Sequence, residues 1–282
     1  MLSLTEPDFD RFRDLIRSAS GIHFTRYNRS VLENRLDGAL RKYALDSLDL
    51  LYRKLTSDKA TLTEFIDSVT TNLTRFFRNE AQFEVLEQAI LPEIIRRKGA
   101  QKRLSIWSAG CSTGEEPYTI ALSLLKILPD PRSWDLHIHA SDISLRTLMV
   151  AKQGFYETSR VTHIPPDLLA RYFINLQDGY EVGPELKKLI RFDYHNLQHA
   201  TNLREMDIIF CRNVIIYFEE STQEKVVQSF YDTLGPKGYL FLGHSESLFS
   251  MKTRFQLYKN DKTTLYYKDE GAPTPAPMRE NP

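Results

Sequence analysis

Residues 103–118, Arg-Leu-Ser-Ile-Trp-Ser-Ala-Gly-Cys-Ser-Thr-Gly-Glu-Glu-Pro-Tyr, constrain this 282-residue chain more than any other stretch. Leu104, Ile106 and Trp107 have the dense apolar character of a strand buried on both faces. Ala109, Gly110, Ser112, Thr113 and Gly114 then strip side-chain bulk from a turn, and Pro117 suits the first turn of a helix whose interior it would break. Strand, small-residue turn and helix in that order are the geometry of a nucleotide-like cofactor site. Glycines let the backbone approach a ligand, and the helix N-terminus beyond them offers unpaired N–H groups. The spacing Gly110-x-x-x-Gly114 matches neither the dinucleotide fingerprint G-x-G-x-x-G nor the phosphate loop G-x-x-x-x-G-K-[ST], so a pyrophosphate ligand is disfavoured.

Glu115 and Glu116 sit where a phosphate would need positive potential. They favour a cation instead, and the nucleoside cofactor with a fixed cation is S-adenosylmethionine, whose sulfonium also carries a transferable methyl group. The plainer alternative is an ordinary strand-to-helix turn whose two acids stabilise the helix dipole.

Composition narrows the function classes. Lys+Arg and Asp+Glu are equal at 37 each, which leaves no global field to attract nucleic acid or an anionic membrane. No stretch approaches the roughly 18–20 apolar residues of a membrane span, and the N-terminus lacks a basic region followed by an apolar one, so the expected location is the cytoplasm. Cys111 and Cys211 give no disulfide framework and no metal-ligand spacing, so no metal site is expected.

Taken in order, residues 1–75 read as a small helical bundle. Helices are expected from Thr5-Glu-Pro-Asp to Gly21, from about Arg26 to Tyr43, near 46–56 and near 59–71. The second carries Arg26, Arg29, Arg35, Arg41 and Lys42 outside its apolar stripe, only partly offset by Glu33 and Asp37. A solvated face is the bland reading; a basic surface for an acidic protein partner is the sharper one. Thr70-Thr-Asn-Leu-Thr-Arg-Phe-Phe-Arg-Asn-Glu then breaks the pattern with polar residues that compete with helix formation, and reads as a functional joint containing Asn72, Thr74 and Arg78. Residues 76–98 form this linker and a connecting helix from about Glu80 to Arg97.

The remainder, 99–270, alternates strands and helices as a doubly wound α/β domain does. The second strand, 136–142, ends in Asp142, placed to accept both ribose hydroxyls. Turn signals around Tyr180-Glu-Val182 suggest a short hairpin, a small β-subdomain near 174–190. Strands follow at 189–194 and 206–211, the latter running at once into Arg212-Asn213, at the strand end where open sheets bind ligands. A helix over 222–234, a strand through 239–243 and two last strands near 254–259 and 262–268 complete the sheet, and 271–282 is expected to be a disordered tail.

Several long motifs in this order resemble the chemotaxis receptor glutamate methyltransferases, the CheR family: Thr-Thr-Asn-Leu-Thr-x-Phe-Phe-Arg (70–78), Trp-Ser-Ala-Gly-Cys-Ser-Thr-Gly-Glu-Glu-Pro-Tyr (107–118), Ala-Ser-Asp-Ile (140–143), Ile-Phe-Cys-Arg-Asn-Val-Ile-Ile-Tyr-Phe (209–218) and Gly-His-Ser-Glu (243–246). The resemblance implies an all-helical N-terminal domain and a class I S-adenosylmethionine-dependent methyltransferase domain. That domain would have a Rossmann-like, mainly parallel seven-stranded sheet and an inserted antiparallel β-subdomain. Carried over by motif, Asn72, Thr74, Arg78, Glu116, Asp142, Asn196, Leu197, Arg212 and Asn213 would line the cofactor site, with Arg78 and Tyr217 nearest the reacting groups. It further implies methylation of glutamate carboxylates on the cytoplasmic helical domain of methyl-accepting chemotaxis receptors, by a monomer recruited to receptor arrays, and it moves the basic second helix from a solvated face to a docking face. The short loop at Gln177-Asp-Gly-Tyr180 departs from members that bind a receptor's C-terminal tether, so tether independence is expected.

Against a nucleic-acid methyltransferase stand the neutral charge and Arg212-Asn213-Val-Ile in place of an Asn-Pro-Pro-Tyr-like segment. An NAD dehydrogenase lacks its glycine fingerprint, and a non-catalytic receptor-binding module would not need every motif position kept.

Overall fold

The computed structural model describes residues 3–258, 260 and 262–269; the expected tail at 271–282 lies outside them. Helices α1 (Glu6–Ser20), α2 (Arg29–Tyr43), α3 (Leu48–Ser57) and α4 (Lys59–Val69) form the N-terminal bundle. Their boundaries follow local chemistry. Thr5 accepts the Asp8 N–H at the start of α1, Gly21 ends it at φ 80°, and Ser47 and Asp58 cap α3 and α4. Phe9, Phe12, Leu32, Leu36, Leu51, Leu55, Phe65 and Ile66 fill the bundle core.

The joint leads into α5 (Glu80–Val85) and α6 (Leu91–Lys98). The uninterrupted helix expected over 80–97 is instead broken by a π-turn over Leu86–Ile90. Pro92, just beyond it, has no N–H to donate, and its ring would clash with the carbonyl four residues back.

The sheet domain runs β1 (Arg103–Ala109), α7 (Glu115–Ile127), β2 (Asp135–Asp142) and α8 (Leu145–Gln153). Then come β3 (Phe155–Glu157), α9 (Pro166–Tyr172), β4 (Phe173–Leu176), β5 (Gly179–Val182), α10 (Pro184–Lys187) and β6 (Ile190–Tyr194). β7 (Met206–Cys211), α11 (Glu220–Thr233), β8 (Leu234–Leu242), β9 (Gln256–Tyr258) and β10 (Leu265–Tyr267) complete it. Seven strands align in the order β6-β2-β1-β7-β8-β10-β9. The first five are mutually parallel, and β10 and β9 are antiparallel additions. Alternation along each central strand splits its side chains between two cores: Ile106 and Phe210 face one, Trp107 and Ile209 the other.

The small antiparallel sheet has three strands in the order β3-β5-β4, so it takes in Phe155–Glu157 upstream of the hairpin expected near 174–190. Three residues are too few to show a strand period, and pairing of Tyr156 with Tyr180 makes the strand.

Candidate active site

Because the strand order reverses direction at β1, the connections that leave the carboxyl ends of the paired strands β1 and β7 run to opposite faces of the sheet and leave a crevice between their loops. A cavity open to solvent on one side occupies it, about 1000 Å³ with its solvent-filled mouth included. Its sheet side comprises Gly110, Ser112 and Glu116 after β1, Asp142 and Ile143 after β2, His195–Leu197 after β6, and Arg212–Val214 with Tyr217 after β7. The joint, from Thr70 to Arg75 together with Arg78, closes it from the other side. All nine residues expected at a cofactor site, and Tyr217, therefore line one cavity.

The helical bundle also supplies a wall, through Ser20, Ile22 and Val69, which sequence reasoning did not assign. After α1 the chain pairs with the far loop: Ile22 bridges Phe218, and the His23 N–H donates to the Tyr217 carbonyl at 2.7 Å. Asn196 reinforces this seam. Its amide donates to the Ala19 carbonyl at 3.0 Å and its Oδ1 accepts the Gln198 N–H, so both side-chain groups are engaged within the protein.

Around the Gly-rich turn the two acids part ways. Glu115 is fully buried and paired with Arg160, away from the cavity. Glu116 faces the cavity: its Oε1 accepts from Ser108 Oγ at 2.7 Å and its Oε2 lies 3.6 Å from Arg212 Nη1. Burial pushes the Glu116 carboxyl up, against the downward pull of Arg212 and Ser108. Asp142 holds the turn itself. Its Oδ2 accepts the Ser112 N–H at 2.7 Å and its Oδ1 accepts the Ser144 N–H at 2.9 Å, while burial pushes its pKa up more strongly than these bonds lower it. A carboxylate oxygen has capacity for a second donor, so ribose hydroxyls remain within its repertoire.

The glycines owe more to packing than the sequence suggested. A Cβ on Gly110 (φ 86°) would lie 2.4 Å from Val214, and one on Gly114 (φ 96°) 2.9 Å from both Ala151 and the Tyr156 hydroxyl. The turn is pressed between the loop after β7 on one side and α8 with β3 on the other, whether or not a ligand touches it.

The joint is bound to the sheet through its backbone. Ser112 Oγ donates to the Asn72 carbonyl at 3.1 Å, and Arg212 Nη2 donates to the Arg78 carbonyl. Arg212 is buried, its guanidinium 5.3 Å from the centroid of the Phe83 ring, and burial lowers its pKa against the opposing pull of Glu116. Arg78 Nη1 donates to the Leu73 carbonyl at 2.7 Å.

Glu246 is the functional residue whose role sequence reasoning missed, although Gly-His-Ser-Glu was among the motifs. Its carboxylate accepts the N–H groups of Gly243 (2.5 Å), Asn213 (2.7 Å), Val214 (2.9 Å) and Ile216 (3.4 Å), fixing the loop that carries Asn213 at φ 60° and Tyr217. An acid just past an apolar strand and a glycine was the available signal.

The residues fit a cationic nucleoside. Two acids and an engaged arginine line the cavity, and Arg212 Nε and Asn213 Oδ1 are buried there without a hydrogen-bond partner among the described residues. Such orphaned groups call for an external partner. The basic residues on and beside α2 lie elsewhere. Arg29 is bonded to Glu6, Glu33 and the Leu4 carbonyl, Arg41 to Asp37 and Lys42 to Glu64. Arg26 is 3.6 Å from Glu6, and Arg35 is exposed beside a groove between α2 and α4.

A sheet of this order, with an acid-lined cavity at its reversal point and a helical domain closing it, defines a class I S-adenosylmethionine-dependent methyltransferase. Residues 72–264 match the family described as CheR methyltransferase, SAM binding domain, and residues 7–70 match CheR methyltransferase, all-alpha domain. The chain belongs to the CheR methyltransferase family, and its cofactor is S-adenosylmethionine. It is similar to chemotaxis protein methyltransferase 2 of Vibrio cholerae, 36% identical over 94% of each chain. The chemotaxis protein methyltransferases of Salmonella typhimurium (37% identical, covering 91% of this chain and 89% of that one) and Escherichia coli (36%, 91% and 90%) are similar too. No helix among the described residues is long and apolar enough to cross a membrane.

Proposed function

We propose that this methyltransferase acts in chemotaxis, esterifying glutamate side-chain carboxylates on the cytoplasmic helical domain of receptors and so serving sensory adaptation. The observation that carries the reading is the composite cavity: the methyl-donor site is walled by the same helical domain that bears the basic α2 face. The names of the relatives supply the chemotaxis context.

Asn72, Thr74, Glu116, Asp142, Leu197, Arg212 and Asn213 would hold the cofactor, with Asn196 contributing its place in the wall rather than its side chain. When bound, S-adenosylmethionine supplies an electrophilic methyl group on a sulfonium. A glutamate with an ordinary pKa of about 4.3 is already ionised at neutral pH, so the protein need provide no general base. Its task is alignment, which can contribute roughly 7–11 kcal/mol. Arg78 lines the cavity with one guanidinium nitrogen engaged by Leu73, leaving others to orient a carboxylate, and Tyr217 lines the same cavity.

Docking would use the exposed cations of α2 and its approach, Arg26, Arg35 and Arg41, with Arg29 and Lys42 bracing that surface. Only Gln177 and Asp178 separate β4 from β5, and this short hairpin supports action without a receptor tether.

Transfer of labelled methyl to receptor cytoplasmic fragments, followed by peptide mapping, tests the reading. Base-labile label on glutamates is expected; no transfer, or label on another residue type, would overturn it. Calorimetry with a receptor C-terminal pentapeptide should show no binding, and micromolar affinity would remove the tether-independent part.

A further inference from the structure

On the side of the Gly-rich turn away from the cavity, an ion pair buried at its acidic end and partly open to solvent at its basic end ties the turn to the small β-sheet and the short helical turn after it. Glu115, the first residue of α7, has no exposed surface. Its Oε1 accepts from Arg160 Nη2, and its Oε2 accepts from Thr113 Oγ1 at 2.7 Å. Arg160 Nη2 also donates to Thr113 Oγ1 at 2.8 Å. From β3, the Tyr156 hydroxyl donates to the Thr113 carbonyl at 2.6 Å, and the Arg160 guanidinium lies 5.3 Å from the centroid of the Tyr156 ring. The Thr113 carbonyl and hydroxyl are thus held from the small sheet and the short helical turn that follows it. The neighbouring residue Ser112 is held from the cavity side, by Asp142 and the Asn72 carbonyl.

Such a pair is a weak device for stability, because desolvation of the buried carboxylate and solvent screening of the guanidinium offset much of the attraction. What it provides here is geometry. Two residues of one turn are fixed from opposite sides, so the position of the small sheet sets where Ser112 and Glu116 face the cavity.

We propose that Arg160 and Tyr156 are positioning residues for the cofactor site, and that the small β-sheet acts as a rear anchor for the Gly-rich turn. This rests on the reading of the cavity as the S-adenosylmethionine site. It gives the small sheet a role that needs no tether peptide.

The test measures S-adenosylhomocysteine affinity by calorimetry on the full chain, with urea unfolding alongside. Arg160→Leu should weaken binding about tenfold and lower stability, since Glu115 is left buried and unpaired. Arg160→Lys should recover part of both. In the double variant Arg160→Leu, Glu115→Gln both charges are gone; stability should return towards that of the parent while affinity stays about tenfold weaker, because the Thr113 hydroxyl has lost its Arg160 donor. Tyr156→Phe removes only the bond to the Thr113 carbonyl and should weaken binding about fivefold in a protein that still folds. Binding within twofold of the parent in both the double variant and Tyr156→Phe would overturn the proposal alone. A parent chain that failed to bind S-adenosylhomocysteine would overturn the cofactor reading, and this inference with it.

Discussion

The Asn196 side-chain amide donates to the Ala19 carbonyl at 3.0 Å, so the loop after β6 caps the last turn of α1 in the other domain. Carbonyls in a helix's last turn have no partner within the helix, and here the partner comes from the sheet.

Asn196→Ala should therefore destabilise the protein by about 1–3 kcal/mol, since it removes two part-buried hydrogen bonds, to the Ala19 carbonyl and from the Gln198 N–H. Urea denaturation reads this directly. The same variant should weaken S-adenosylhomocysteine binding measurably, because the seam it holds is a cavity wall; unchanged affinity would separate seam from site.

Glu246→Gln keeps the side chain's volume but turns an acceptor of four N–H groups into one that also presents donors. Turnover should fall by about tenfold or more as the Asn213–Tyr217 loop relaxes, with about 1–3 kcal/mol lost from unfolding stability. Steady-state kinetics beside urea unfolding checks both parts.

The raised pKa of Glu116 gives a pH signature. Because the folded protein binds this proton more tightly than the unfolded chain, with its ordinary value of 4.5, the group's stabilising contribution is present below that value. It is lost as pH rises through the folded pKa. Glu116→Gln should accordingly gain stability relative to the parent between pH ~4 and pH ~7, while its cofactor affinity falls. Urea titrations at the two pH values, with calorimetry at the higher, would show whether the gap widens; a gap that narrows refutes the assignment.

Asp142→Ala should chiefly weaken cofactor binding, by about ten- to a hundredfold, because the turn loses its charged acceptor at Ser112 along with any ribose contact. Arg78→Ala should instead lower turnover by orders of magnitude with a smaller change in S-adenosylhomocysteine affinity. Comparing kcat with the dissociation constant for the two variants separates holding from aligning.

The parallel sheet was legible because its central strands are dense apolar runs followed by small or polar residues, as at Trp107-Ser-Ala-Gly and Phe210-Cys-Arg-Asn. Asp142 was legible for the same reason, since it sits at a strand end, where the fold puts its ligands, whereas Glu116, in the first turn of α7, was told apart from Glu115 only by the family motif. What escaped was set by partners distant in sequence. β3 exists through its pairing with β5, Ser20 and Ile22 reach the cavity because they bridge Phe218, and Asn196 is engaged by a carbonyl nearly the whole domain away. No local period records those neighbours. The π-turn before Pro92 had its cause in plain view but not its form.

The pairing of residues 22–23 with 217–218 limits how far such enzymes can be assembled from interchangeable parts. A bundle borrowed from a relative would bring its own version of the 19–23 segment, and with it one wall of the methyltransferase cavity. Working chimaeras should be those whose crossover points carry 19–23 together with 196–198 and 217–218, so that the bundle and the cavity wall it helps to build are inherited as one block.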